Sequence, residues 1–418
     1  MKLKKYASEE YVYYYGNQEV VELPEYTYRD SDVRGVWVSN VVNIDTPKMV
    51  DVESYKQYLV DMIKNIASYN MNLIIFQVRP TNDAYYPSKL NPWSKYITGV
   101  EGRDPGFDVL QFVIDEAKKY NIQVHAWMNP YRVSTEALDK LEMTKEEYLN
   151  TLSENNFARL NPDCTILDGT NKVILKPASK KVIQFVTDTI MEVVDNYDVT
   201  GVHIDDYFYP YAKVPSELEE DDFNEAVKNG FVGTFDDWRR DNVNKMIKSV
   251  HEGLKKSFDK TGKKVMFGIS PFGIYRTNSA LDPNGWSEGS FHATGVCECY
   301  SSLYSDVYYW MEKGWIDYVV PQLYFPFERK DVNYHDLAAW WAKMAAKTNT
   351  TLYIGQAIYQ MGSNEVWANP DEIDNQLCFN CLHDNIAGTI FFTYHDLVPG
   401  KNEVKDAGLA KLKARWVK

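Results

Sequence analysis

The chain has 418 residues, 44% hydrophobic and 25% charged, which is too apolar for a disordered chain and enough for a large core. Acidic residues outnumber basic ones, 59 to 45, giving a formal charge of −14. With no basic cluster to neutralise phosphates, that balance argues against a nucleic-acid partner and against docking on anionic lipid.

The first residues, MKLKKYASEE, are basic, but Ser8, Glu9 and Glu10 interrupt any apolar run. No secretory signal is read there, and the sequence by itself suggests a cytoplasmic protein. Residues 1–33 carry Tyr6, Tyr11, Tyr13, Tyr14, Tyr15, Tyr26 and Tyr28 and are expected to form an extended lead-in. From residue 34 to 418 one unit recurs: a short β-branched run, a polar turn, then an amphipathic helix. Strands are expected over 34–42, 72–80, 122–130, 201–210, 264–272, 317–325, 351–359 and 388–396. Helices are expected over 53–69, 107–120, 182–197, 235–258, 303–313, 334–347, 370–383 and 403–416.

Near-continuous apolar strands alternating with helices predict an α/β fold with a parallel sheet, and eight βα units fit a closed (β/α)8 TIM barrel. The longest intervals follow the third and fourth strands, so the long loops fall on the C-terminal face, where such barrels carry their sites. No run of 18 apolar residues occurs, so no transmembrane segment is expected. No G-x-G-x-x-G follows a strand, and no cofactor is expected. The five cysteines, Cys164, Cys297, Cys299, Cys378 and Cys381, are odd in number and read as reduced thiols, the C-x-x-C pair included. Nothing in the sequence speaks to oligomeric state.

Polar and aromatic residues crowd the strand ends. The second strand ends in Gln77 and Arg79, followed by Asp83 and Tyr85. The third ends in Trp127 and Asn129, followed by Arg132. The fourth carries His203, Asp205, Asp206 and Tyr207, the sixth Gln322 and Tyr324, the seventh Gln356, and the eighth Tyr394. Such side chains suit a barrel interior poorly unless they meet a ligand, so a polar, aromatic-walled cleft is expected. Asp205 and Asp206 are the sharpest signal: adjacent carboxylates repel, one pKa rises, and a raised carboxyl serves as a general acid near neutrality. A metal site is weighed and set aside. His203, Asp205 and Asp206 are ligand types, but His125 lies deep and the first strand offers no histidine. A serine hydrolase fails on Gly268-Ile269-Ser270-Pro271, which is not G-x-S-x-G.

Specific stretches then become recognisable. They are Arg34-Gly35-Val36-Trp37-Val38, Gln77-Val78-Arg79-Pro80, Asp83-Ala84-Tyr85-Tyr86-Pro87-Ser88 and Asp104-Pro105-Gly106-Phe107-Asp108. His125-Ala126-Trp127-Met128-Asn129-Pro130-Tyr131-Arg132, Gly201-Val202-His203-Ile204-Asp205-Asp206-Tyr207-Phe208-Tyr209-Pro210 and Ser270-Pro271-Phe272-Gly273 follow. Through these the chain resembles the glycosyl hydrolase-like 10 family, bacterial TIM-barrel proteins whose characterised members cleave peptidoglycan glycan strands. The resemblance implies a glycosidase acting on an amino-sugar polymer, with an acidic catalytic residue at the fourth strand, matching Asp205 and Asp206. It also implies export to the cell envelope, which no signal in this sequence matches.

Glycoside hydrolysis needs an acid plus a nucleophile or base. Two versions are open. In one, Asp205 is the nucleophile and a distant carboxylate such as Asp83 the acid. In the favoured one, the acetamide of the substrate attacks, one aspartate orients it and the other protonates the leaving oxygen. The alternatives are a non-catalytic polysaccharide-binding barrel and a metal-dependent deacetylase or amidase.

Overall fold

The computed structural model describes residues 1–417. Ten strands form in chain order: β1 (Val33–Val38), β2 (Leu73–Arg79), β3 (Gln123–Met128), β4 (Thr165–Leu167), β5 (Val173–Leu175), β6 (Gly201–Ile204), β7 (Met266–Ile269), β8 (Tyr318–Val319), β9 (Thr351–Gln356) and β10 (Ile386–Phe391). All but β4 and β5 close a parallel barrel in the order β1-β10-β9-β8-β7-β6-β3-β2, the TIM barrel that the alternating pattern predicts.

The helices form where apolar residues recur every three to four positions. Val52–Ala67 buries Tyr55, Leu59, Met62, Ile63 and Ile66 against the sheet, and Asp51 caps it by accepting from Ser54 N. Lys180–Asn196 does the same behind Ser179, burying Val182, Val186, Ile190, Val193 and Val194.

Inside the barrel a second apolar cluster of Trp37, Leu73, Ile75, Trp127, Tyr318, Val320 and Ile390 fills the axis. Its polar atoms satisfy one another. Trp37 Nε1 donates to His203 Nε2 at 3.2 Å. The Tyr318 hydroxyl lies 3.0 Å from His203 Nδ1 and 2.7 Å from His125 Nδ1. Burial holds both imidazoles neutral, with His125 pushed down to about 3. Gly268 makes this possible: a Cβ there would meet the Tyr318 ring at 1.8 Å.

The barrel strands end earlier than the sequence suggests. β6 stops at Ile204 and β8 spans two residues, so the polar and aromatic residues beyond them belong to loops at the mouth. The long β3–β6 connection contains the antiparallel hairpin β4–β5, which the sequence pattern did not reveal because each strand has three residues. Residues 1–23 pair with themselves through bridges such as Lys2↔Glu22 and Tyr13↔Val20. They lie against helix Tyr334–Thr348, where Tyr15 N donates to Asp336 at 2.9 Å. All five cysteines are free thiols.

Candidate active site

β6 and β3 together build the site. Trp127 pairs with His203 and Met128 with Ile204, so Asn129 and Asp205 come next to each other just beyond the paired ends. Asp205 keeps the inward parity of Gly201 and His203. Its carboxylate accepts from Trp127 Nε1 at 3.0 Å, from Asn129 Nδ2 at 3.3 Å and from the backbone N–H of Tyr207 at 3.1 Å. Asp206 turns to the opposite wall, where Gln322 Nε2 donates to it at 3.0 Å and the Tyr211 hydroxyl donates to its other oxygen.

The two carboxylates are both buried, at 4% and 5% exposure, yet they are not equivalent. Burial pushes both pKa values up. Against burial, Asp205 has the Arg132 charge and three kinds of N–H donor. Asp206 is instead pushed further by the charge of Asp205, to about 6. The charge of Asp205 thus favours the protonated form of Asp206.

A cavity of about 460 Å³ opens over this pair. Gln77, Trp127, Arg132, Tyr207, Gln322 and Tyr324 line it with the two aspartates, so eight of the residues singled out from sequence converge there. Arg132 stacks over the Tyr207 ring, its guanidinium carbon 4.5 Å from the centroid. Asn129 lies one layer behind, holding Asp205 and facing an adjoining cavity.

The remaining six residues are elsewhere. Arg79 is buried beneath the mouth, where Nη1 donates to the carbonyls of Asn129 and Pro130 and so braces the end of β3. Asp83 is 1% exposed, turned onto Thr81 N at 2.9 Å and outside the cavity wall, and Tyr85 is a core ring against Phe76. His203 belongs to the barrel interior described above. Gln356 is spent on Gln376 and Thr389, and Tyr394 is buried in the turn after β10. These six do not line the cavity: Asp83, Tyr85 and Tyr394 are covered by their own loops, and Arg79, His203 and Gln356 are hydrogen-bonded within the barrel. Among the described residues, no group of three or more His, Cys, Asp or Glu side chains is placed to hold a metal ion.

The family model of Glycosyl hydrolase-like 10 matches residues 32–371. The chain belongs to this family. It is 38% identical over 382 residues to glycosyl hydrolase YngK of Bacillus subtilis (strain 168), covering 90% of this chain and 71% of that protein. It is 34% identical over 402 residues to glycosyl hydrolase DigH of Escherichia coli (strain K12), covering 92% and 87%. Among solved structures it is similar to alpha-L-fucosidase isoenzyme 2 from Paenibacillus thiaminolyticus, with a TM-score of 0.53 and 12% identity over 92% of this chain and 50% of that one. That likeness is one of fold, and the chain spans half the length of that protein. As a glycosyl hydrolase-like 10 member the protein is a glycosidase, and its substrate is a carbohydrate.

Several residues of this glycosyl hydrolase-like 10 cavity were not singled out from sequence. Tyr211 is the most consequential, because it touches Asp206 directly. Its signal was the run Tyr207-Phe208-Tyr209-Pro210-Tyr211, in which a proline turn carries a fourth ring back over the strand end. Gln77, named from sequence with Arg79 at the end of the second strand, also faces the cavity, and its side-chain carbonyl accepts from Asn40 N at 2.9 Å and Val41 N at 2.8 Å. Trp37, Phe272, Tyr359 and Phe392 complete the aromatic wall.

Proposed function

We propose that the protein hydrolyses glycosidic bonds in an N-acetylamino-sugar glycan such as peptidoglycan strands, with Asp206 as general acid and Asp205 orienting the substrate acetamide. The observation that supports this most is the inequality of the two adjacent carboxylates. Adjacent aspartates on one strand end are poorly suited to the water-separated pair of an inverting glycosidase, about 6.5–9.5 Å apart. They do suit a nucleophile supplied by the substrate. Asp206 gives its proton to the leaving oxygen as the glycosidic bond breaks. The acetamide oxygen bonds to the anomeric carbon, and Asp205 accepts from the acetamide N–H and balances the positive ring so formed. Water then opens that ring, and Asp206 takes back a proton. Asp83, the other acid considered, is walled off from the cavity. The aromatic wall supports a sugar substrate, because sugar faces are apolar and their rims polar.

Mass spectrometry of digests tests this, using peptide-free peptidoglycan strands, chitooligosaccharides and their deacetylated counterparts. Products are expected from acetylated chains and none from deacetylated ones. Equal cleavage of both removes the acetamide from the mechanism, and cleavage of neither removes the substrate class.

A further inference from the structure

The cavity over the aspartates continues sideways. A second chamber of about 380 Å³ shares Val41, Arg132, Tyr207 and Tyr211 with it as common walls. A third, of about 520 Å³, shares Thr135, Thr170 and Lys172 with the second. Together they make one trench from the loops after β8 and β9, past the end of β6, to the turn of the β4–β5 hairpin. Each chamber falls in the range of about 300–1,000 Å³ usual for small-molecule sites.

The second chamber carries its own signs of a ligand. Tyr131 packs into its wall at 1% exposure, and the exposed side of the wall is formed by residues of the β4–β5 hairpin. Lys172 has no side-chain hydrogen bond or ion pair among the described residues and lines both outer chambers. Val42, at the rim, is a β-branched residue at φ 48° and ψ 27°, with its side chain 56% exposed. That conformation persists only where surroundings impose it, and such positions cluster at ligand clamps. The constraint here is Gln77, which pins the two residues before Val42.

We propose that the second chamber binds further sugars of the same glycan beyond the bond being cut, so that the enzyme cleaves inside chains instead of trimming their ends. Lys172 supplies hydrogen bonds to sugar hydroxyls, and Val42 and Tyr207 supply apolar contact to ring faces. The inference rests on the proposed glycosidase reading and names how its substrate lies.

Reduced-end-labelled N-acetylated oligosaccharides of increasing length, sampled early in the reaction, test it. Wild-type protein is expected to release internal fragments of several lengths, with kcat/KM rising with chain length. Lys172→Ala and Val42→Asn are expected to lower the long-to-short ratio of kcat/KM by roughly tenfold, through KM more than kcat. Val42→Asn should do so while melting at or above the wild-type temperature, because asparagine tolerates a left-handed backbone. Lys172→Arg should restore part of the ratio. Release of single terminal sugars from the outset, or equal losses on long and short chains, overturns the second binding chamber while leaving the glycosidase reading intact. Wild-type protein that cuts no chain of any length overturns both.

Discussion

Trp127 Nε1 donates to Asp205 Oδ2 at 3.0 Å while the same indole packs into the apolar cluster that fills the barrel. The ring that shapes the cleft therefore also aims the carboxylate, and the pairing of β3 with β6 sets both at once. Trp127→Phe keeps most of the packing and removes the donor. It should lower kcat by about tenfold or more, consistent with the loss of a charge-assisted hydrogen bond. Steady-state kinetics on a short N-acetylated oligosaccharide checks this, and an unchanged kcat would detach the indole from the chemistry.

Asp205→Asn and Asp206→Asn should each cost at least ~10²-fold in turnover. The two can be told apart by the leaving group. An aryl glycoside with a good leaving group needs little protonation, so it should recover much of the activity of Asp206→Asn and almost none of Asp205→Asn. Recovery in the reverse order would exchange the two roles.

The pH dependence follows from Asp206, whose carboxyl is raised from 3.8 to about 6 by burial and by the charge of Asp205. A general acid works only while protonated, so kcat/KM should fall as pH rises through about 6. The Tyr211 hydroxyl donates to the ionised form and holds the pKa down. Tyr211→Phe should therefore move that limb to higher pH. The same group affects stability. Because its folded pKa lies above 3.8, its contribution is fully present below that pH and is lost as pH rises through about 6. Asp206→Asn should thus raise the melting temperature near pH 7 and leave it nearly unchanged near pH 4. A pH-independent difference would refute that linkage.

Gly268→Ala should destabilise the fold by about 1–3 kcal/mol or more, because the new methyl would sit 1.8 Å from the Tyr318 ring at the packed barrel axis. Chemical denaturation measures it. A neutral result would show that the interior can yield where it looks tightest.

The βα rhythm, the closed barrel and the aspartate pair were legible in the chain because they depend on local periodicity and on adjacency. What followed the strands was less so. Parity along a strand correctly turned Asp205 and Gln322 toward the mouth, but it stops at the last paired residue. Beyond that point Asp83 and Tyr85 fold down under their own loop, and Tyr394 is covered by the turn it starts. Gln356 sits at the last position of β9, yet its side chain is spent on a helix behind the sheet. Tyr211 escaped notice for the opposite reason: a turn brings it back from outside any periodic element. The β4–β5 hairpin left no pattern, since three residues cannot display an alternation.

The stack of His203, Tyr318 and His125 along the axis has a consequence for traffic. The barrel has a sealed floor, so neither a polymer end nor a released fragment can pass through the middle of the molecule. Access to the aspartates is from the mouth alone. Whatever carbohydrate reaches the aspartates enters and leaves through one open face, so product has to clear the mouth before the next substrate is seated.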